Sequence, residues 1–419
     1  MTFPLISVTT STPTARDANR ARVFELIHLR RAPSRAEIAT ALELTPAAVS
    51  YIVAELMDAG LIHESGRRSG GRGQPAIELG IRADAAWTIG LHLDHRRVSG
   101  CVANLAGRVS ARRHRTLPNR ATSAQVRRSL LDVAGVLLAS APAGRPLGVG
   151  LAAVGPLDLA RGSVVESSHT SRWGNEPLRE PLADALGLNV FMENNITATA
   201  IGEYWHGRGQ AFRNFLVIGF YGAGLGGGLF LRQRVYRGSD PNAAEFGHMP
   251  VADPGGGAVA VHVESLASLD ALHRDLGTSS PDELDARLVA GDDALDRWLH
   301  VAARALAQAM ASVDHLLDLD AIILTGHLSP AMLEALIERI TALREPLYMQ
   351  GWHRRSELLV GREGADPVLL GAATLPVYDT LVTVPHGRVD TTSSDRITGR
   401  TTGRPSGCPS GCPSGCLAG

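Results

Sequence analysis

Two helix starts close together constrain the N-terminal part of this chain more than any other feature. In SRAEIATALEL, Ser34 and Glu37 form an S-x-x-E capping box, and Ile38, Ala41 and Leu42 supply an apolar face. In LTPAAVSYIVAELMDAG, Thr45 is the N-cap and Pro46 takes the first helical position; Val49, Ile52, Val53 and Leu56 form the inner face, and Gly60 stops the helix. Two helices of roughly ten residues with a turn of about three or four between them have helix-turn-helix spacing, in which the second helix enters a DNA major groove. An earlier helix starts near Asp17, with Val23, Leu26 and Ile27 inward, and LIHESGRRSGGRGQPAIEL reads as two short strands around a Gly/Arg loop. Residues 17–82 are therefore expected to form a winged helix, after a flexible Ser/Thr/Pro-rich lead-in over residues 1–16.

Any DNA contact has to come from local clustering, because the formal net charge is only -1 and all the basic side chains other than histidine are arginine. The expected contact set is Ser34 and Thr45 at the helix starts, Ala47, Ala48, Ser50 and Tyr51 on the outer face of the second helix, and Arg67, Arg68 and Arg72 on the wing loop. Arginines on such a tip can follow phosphates or enter a narrow minor groove. A helical hairpin serving a protein partner is the other reading of the helices alone, and the wing counts against it.

From about Trp87 the pattern changes to alternating strands and helices, an α/β architecture too large for one simple sheet, so residues 85–378 are expected to form two lobes. An apolar content of 44% with 20% charged residues fits a large core. No window approaches eighteen continuous apolar residues, the N-terminus is unlike a signal sequence, and Cys101 stands apart from Cys408, Cys412 and Cys416, so a cytoplasmic protein without a disulfide framework is expected. Residues 379–419, ending in GRPSGCPSGCPSGCLAG, cannot build a core and are expected to be a disordered low-complexity tail. Gly222, Gly224 and Gly227 satisfy G-x-G-x-x-G, but strand-like LFLRQRVYRG follows them where a dinucleotide site needs a helix. A glycine turn between antiparallel strands is expected instead.

The ordered series AVGPLD, RWGNEPL, ENNITATAIGE, GAGLGGG, AAEFGHMPV and ILTGHLS, behind a winged helix, resembles the ROK family of sugar kinases and sugar-responsive repressors over roughly residues 17–378. The resemblance implies an actin-like (ribonuclease H-like) two-lobed domain with a sugar in its cleft, and the winged helix implies the repressor branch. It also implies that Asn194, Asn195, Glu245, His248 and Glu264 face the sugar.

Three departures from the family pattern bear on chemistry. ROK kinases have a segment similar to E-N-D-A-N, whose aspartate accepts the proton of the attacking hydroxyl; Asn195 stands there, and an amide oxygen is far too weak a base. A first phosphate loop like G-x-D-x-G-G-T is replaced by GLHLDHR, with His92 at the acidic position and Asp94 and His95 at the glycines. The family's zinc-binding C-x-C-G-x-x-G-C-x-E becomes DPGGGAVAVHVE, with Gly255, Gly257 and His262 at the cysteine positions, so no four-ligand zinc site is expected and no cofactor. The expected function is a sugar-responsive transcriptional regulator without kinase activity, acting as a homodimer or dimer of dimers on an inverted-repeat operator. An ATP-dependent sugar kinase carrying a DNA-binding arm, and a scaffold for a protein partner, are the alternatives.

Overall fold

The computed structural model describes residues 15–382 except 31, 69–74, 167–171, 223, 258, 279, 352–354 and 363–365. The capping box forms as the sequence predicts: the Ser34 hydroxyl accepts from the Glu37 amide at 3.3 Å while the Glu37 carboxylate accepts from the Ser34 amide at 2.7 Å. It starts α2 (Arg35–Leu42), which follows α1 (Ala15–Arg30). Thr45 accepts from the Ala48 amide at 3.2 Å and starts α3 (Pro46–Asp58). The turn between α2 and α3 bends the chain by 118°, within the helix-turn-helix range. Antiparallel strands β1 (Ile62–Arg68) and β2 (Ala76–Ile81) complete the winged-helix arrangement.

The body holds two five-stranded sheets built on one plan. The first comprises β3 (Ala86–Leu93), β4 (Arg97–Asn104), β5 (Val109–Thr116), β6 (Arg145–Ala153) and β9 (Val190–Asn194), in the order β5-β4-β3-β6-β9. The helices α4 (Ser123–Ala139) and α5 (Arg179–Leu186) and the short pair β7 (Leu157–Asp158) and β8 (Ser163–Val164) lie in its connections. The second comprises β10 (Phe215–Tyr221), β11 (Gly224–Leu231), β12 (Arg234–Tyr236), β15 (Ala321–Gly326) and β16 (Glu357–Val360), in the order β12-β11-β10-β15-β16. In each sheet a three-stranded antiparallel meander continues into two parallel strands. Between β12 and β15 come β13 (Pro250–Val251), β14 (Val261–His262) and the helices α7 (Glu264–Ala267), α8 (Leu269–Leu276), α9 (Pro281–Ala290) and α10 (Asp293–Leu317). After β15 comes α11 (Pro330–Arg344).

Two helices join the halves. One is α6 (Asn195–His206), directly after β9; the other is α12 (Pro367–Val377). They pack with almost no gap, since a Cβ at Gly371 would lie 2.2 Å from the Ala198 carbonyl, and α12 presses as closely on the first sheet, where a Cβ at Gly150 of β6 would lie 1.8 Å from the Ala372 carbonyl. Glycine at both positions is a steric requirement of these two contacts.

A single apolar cluster runs from Val23, Phe24 and Ile27 through Ile38, Val49 and Val53 to Tyr204, Trp205, Tyr378 and Val382. The winged helix thus shares a core with the body, which the division at residues 82 and 85 did not anticipate, because α1 buries one side against α6. Two expected boundaries also move. The first helix begins at Ala15, inside the segment expected to be loose, and a π-helical turn over Tyr378–Val382 seats Val382 in the core, beyond the expected end at residue 378. Residues 383–419, with the three cysteines of the repeat, lie outside the described residues. No single helix among the described residues is long and apolar enough to cross a membrane.

Candidate functional site

The five residues singled out for sugar contact, Asn194, Asn195, Glu245, His248 and Glu264, all line one cleft of about 550 Å³ between the two sheets. Its floor is the junction of β9 and α6. Asn194 caps α6, its Oδ1 accepting from the Ile196 and Thr197 amides at 2.9 and 3.4 Å, and its Nδ2 donates to the Gly155 carbonyl at 3.2 Å. Much of its hydrogen-bonding capacity therefore holds the floor in shape. The next residue, Asn195, is buried at the helix start, and its Oδ1 accepts from the Ile196 amide at 3.0 Å.

The far wall carries the ionisable groups. Loss of water around the Glu245 carboxyl raises its pKa and the Glu264 carboxylate adds to that, while His248 opposes it. His248 Nδ1 lies 3.5 Å from Glu264 Oε1 and 3.5 Å from His262 Nδ1. The three side chains bring one donor atom each to within 4.8 Å of one another. A tetrahedral ion with bonds near 2.0–2.1 Å needs ligand spacings of about 3.4 Å, which the two spacings from His248 approach. Gly255 and Gly257, at the other two cysteine positions, offer no side-chain donor, so the segment does not build a closed four-ligand site. The fold thus adds Glu264 to the donors His248 and His262.

The glycine segment is the antiparallel turn the sequence predicts, between β10 and β11. Its glycines do two jobs. A Cβ at Gly226 would meet Ile196 Cγ1 at 2.5 Å and one at Gly227 the Ala244 carbonyl at 2.3 Å, so these two let the strand press on α6 and on the Glu245 loop. Gly222, with φ +54° and open space around it, and Gly224 give backbone room to the cleft. Opposite them, Asp94 and His95 line the cleft, where Asp94 Oδ1 accepts from the Arg96 amide at 3.3 Å within the turn from β3 to β4. His92 is buried, and burial holds its imidazole below the usual histidine range despite the nearby Asp366 and Asp94 carboxylates. A neutral ring thus occupies the position of the family's acid.

Two cleft residues escaped the sequence reading. Arg237 Nε donates to Glu193 Oε2 at 2.7 Å, and Glu193 is almost fully buried. Asn242 bridges the halves: its Oδ1 accepts from the Leu157 amide at 2.7 Å and its Nδ2 donates to the Leu157 carbonyl at 3.1 Å. Neither stands in a recognisable motif, and only the preceding strand pattern of RQRVYRG pointed to ordered structure there.

On the winged helix, Thr45, Ala47, Ser50 and Tyr51 are exposed and Ala48 half-exposed. Ser34 is buried with its hydroxyl committed to the capping box, so its expected place among the DNA-contacting side chains does not hold; its contribution is the start of α2. Arg67 is exposed. Arg68 is drawn to Glu37 at 2.7 Å and Glu78 at 3.6 Å, exposed pairs that hold it only weakly. Arg72 lies outside the described residues. The sequence also gave no hint of Arg16, which donates to the Tyr51 hydroxyl at 2.7 Å, lies 4.8 Å over its ring and pairs with Glu55.

Comparison with known proteins places this geometry. The model of the ROK family matches residues 88–377. The xylose repressor of Caldicellulosiruptor bescii is 25% identical over 238 residues, 56% of this chain and 59% of that protein. The glucokinase of Streptomyces coelicolor is 34% identical over 166 residues, 37% of this chain and 52% of the enzyme. The chain thus matches between half and two thirds of the length of these two relatives. Among solved structures, a ROK family transcriptional regulator, homolog of the Escherichia coli MLC protein, superposes with a TM-score of 0.68 at 24% identity, covering 88% of this chain and 98% of that one; this likeness is one of fold.

Proposed function

The chain belongs to the ROK family, and from that premise we propose that it is a sugar-responsive DNA-binding regulator, a repressor of carbohydrate uptake or catabolism genes, that has no phosphoryl-transfer activity. The observation that carries this reading is the pairing of an exposed α3 with a sugar-sized cleft whose floor has an amide, Asn195, where a kinase of this family has its base. A relative named as a repressor supports the regulatory half.

In this reading the sugar lies against Asn194, Asn195, Glu245, His248 and Glu264. Carboxylate and imidazole accept from or donate to its hydroxyls, and the Asn195 amide can bond the hydroxyl that a kinase would activate without taking its proton. His92, Asp94 and His95 disfavour ATP phosphates, because a neutral imidazole and an added negative charge replace an acid and two glycines. A homodimer would set two α3 helices into successive major grooves of an inverted repeat, about one helical turn apart. The domain division follows: residues 17–82 read DNA and residues 85–378 sense sugar.

The glucokinase relative favours a second reading, a sugar kinase with a DNA-binding arm. One experiment separates the two. A thermal-shift screen with D-xylose, D-glucose and their phosphates, run beside an ATP-consumption assay on the same sugars, is expected to give stabilisation without turnover. Turnover of any of them establishes the kinase reading, and no shift with a broad sugar panel leaves the scaffold.

A further inference from the structure

The sensing role proposed above, on which this inference rests, needs a route from the cleft to α3, and two buried elements converge on one residue to supply it. The first is α6. It begins at the cleft with Asn195, is buried from there through Trp205, and spans about 18 Å at 1.5 Å per residue. At its far end the Tyr204 hydroxyl donates to Glu25 Oε1 of α1 at 2.6 Å. The Trp205 indole stacks on His28 at 3.9 Å with the rings 2° from parallel, and the Trp205 carbonyl accepts from His28 Nε2 at 2.5 Å.

The second element is β12 with the residue after it. Arg237 lines the cleft and holds Glu193. Roughly 10 Å away by strand rise, Arg234 grips Glu25 with both ends of its guanidinium, at 2.7 and 3.1 Å. Glu25 is 7% exposed, so a single buried carboxylate on α1 takes hydrogen bonds from two elements whose other ends line the cleft. At the opposite end of α1, Arg16 holds Tyr51 and Glu55 on the outward helix.

The geometry points to Glu25 as the coupling residue, through which a sugar in the cleft resets α1 and, by way of Arg16, the pose of Tyr51 on α3. There is little slack to absorb a movement of α6, since it is pressed on α12 at Gly202 and Gly371. Leaving Glu25 behind would strand a buried charge, so α1 follows its partners.

Two measurements on the full chain test this. The first needs neither sugar nor operator: hydrogen exchange in Arg237→Gln, a change at the cleft end. Amides of residues 23–30 on α1 are expected to exchange at least about threefold faster than in the unaltered protein, as they do in Tyr204→Phe. Unchanged exchange of α1 in Arg237→Gln overturns the coupling. The second uses duplexes that the unaltered protein selects from a random pool, titrated with and without D-xylose or D-glucose. Tyr204→Phe and Glu25→Gln are expected to keep the sugar midpoint and the sugar-free operator Kd within about threefold, while the sugar-induced change in operator Kd falls from at least about fivefold to under twofold. A variant that keeps the whole change also overturns the coupling. If neither sugar alters operator binding by the unaltered protein, the sensing reading is what fails, and α1 exchange alone decides the coupling.

Discussion

Replacing Glu25 by alanine should destabilise the folded chain far more than removing an exposed ion pair. The carboxylate is buried and accepts three hydrogen bonds, from Tyr204 and from both ends of Arg234. Breaking a buried pair by deleting one partner costs about 3–5 kcal/mol, because the other charge is left without compensation. Here the Arg234 side chain is 44% exposed and can recover water, which lowers that figure. The Tyr204 hydroxyl, only 1% exposed with its residue, cannot, and an unmet buried donor costs about 1–3 kcal/mol. The expected loss is therefore about 2–4 kcal/mol. Urea unfolding followed by tryptophan emission measures it, with Arg355→Ala, which breaks the exposed pair to Glu345, as a control expected to cost under about 1 kcal/mol. Equal midpoints for the two variants would show that α1 is not held to the body through Glu25.

Purified protein should show no ATP-dependent phosphorylation of xylose or glucose, and Asn195→Asp alone should not restore it, since a base supplies only about 10²–10⁴-fold and the β3–β4 loop would still lack its glycines and acid; turnover by either protein refutes this. Glu245→Ala or His248→Ala should weaken sugar binding about tenfold or more, the value of one charge-assisted hydrogen bond, while operator binding stays intact, as calorimetry and anisotropy would report. On the DNA side, Arg67→Ala should weaken binding to all sequences and reduce the salt slope by about one, whereas Tyr51→Ala should relax discrimination at particular base pairs. The same effect for both would misplace α3.

Local chemistry carried the winged helix into the sequence: a capping box, a Thr-Pro start and a Gly/Arg turn act over a few residues each and need no distant partner. The cleft residues were visible because they stand in ordered motifs, and all five indeed line one space. What stayed hidden depends on pairings far apart in the chain. Glu25 stands in no motif, and nothing near it in sequence announces Tyr204 or Arg234. Asn242 and Leu157 meet across the cleft from 85 residues apart. Ser34 shows the reverse error, in which a hydroxyl that satisfies a local cap was also assigned an outward role that its burial denies. The two sheets repeat one topology, which strands of different sequence can share because register is set by the apolar pattern and the turns and not by particular side chains.

The decisive measurement is anisotropy of a labelled operator duplex, selected by the protein itself, titrated with the full chain in the presence and absence of whichever sugar raises its melting temperature. If the cleft senses sugar on behalf of α3, saturating sugar changes the operator Kd by at least about fivefold, and operator changes the sugar Kd by the same factor, as linkage requires. A sugar that binds the cleft while leaving the operator Kd unchanged would contradict the regulator outright.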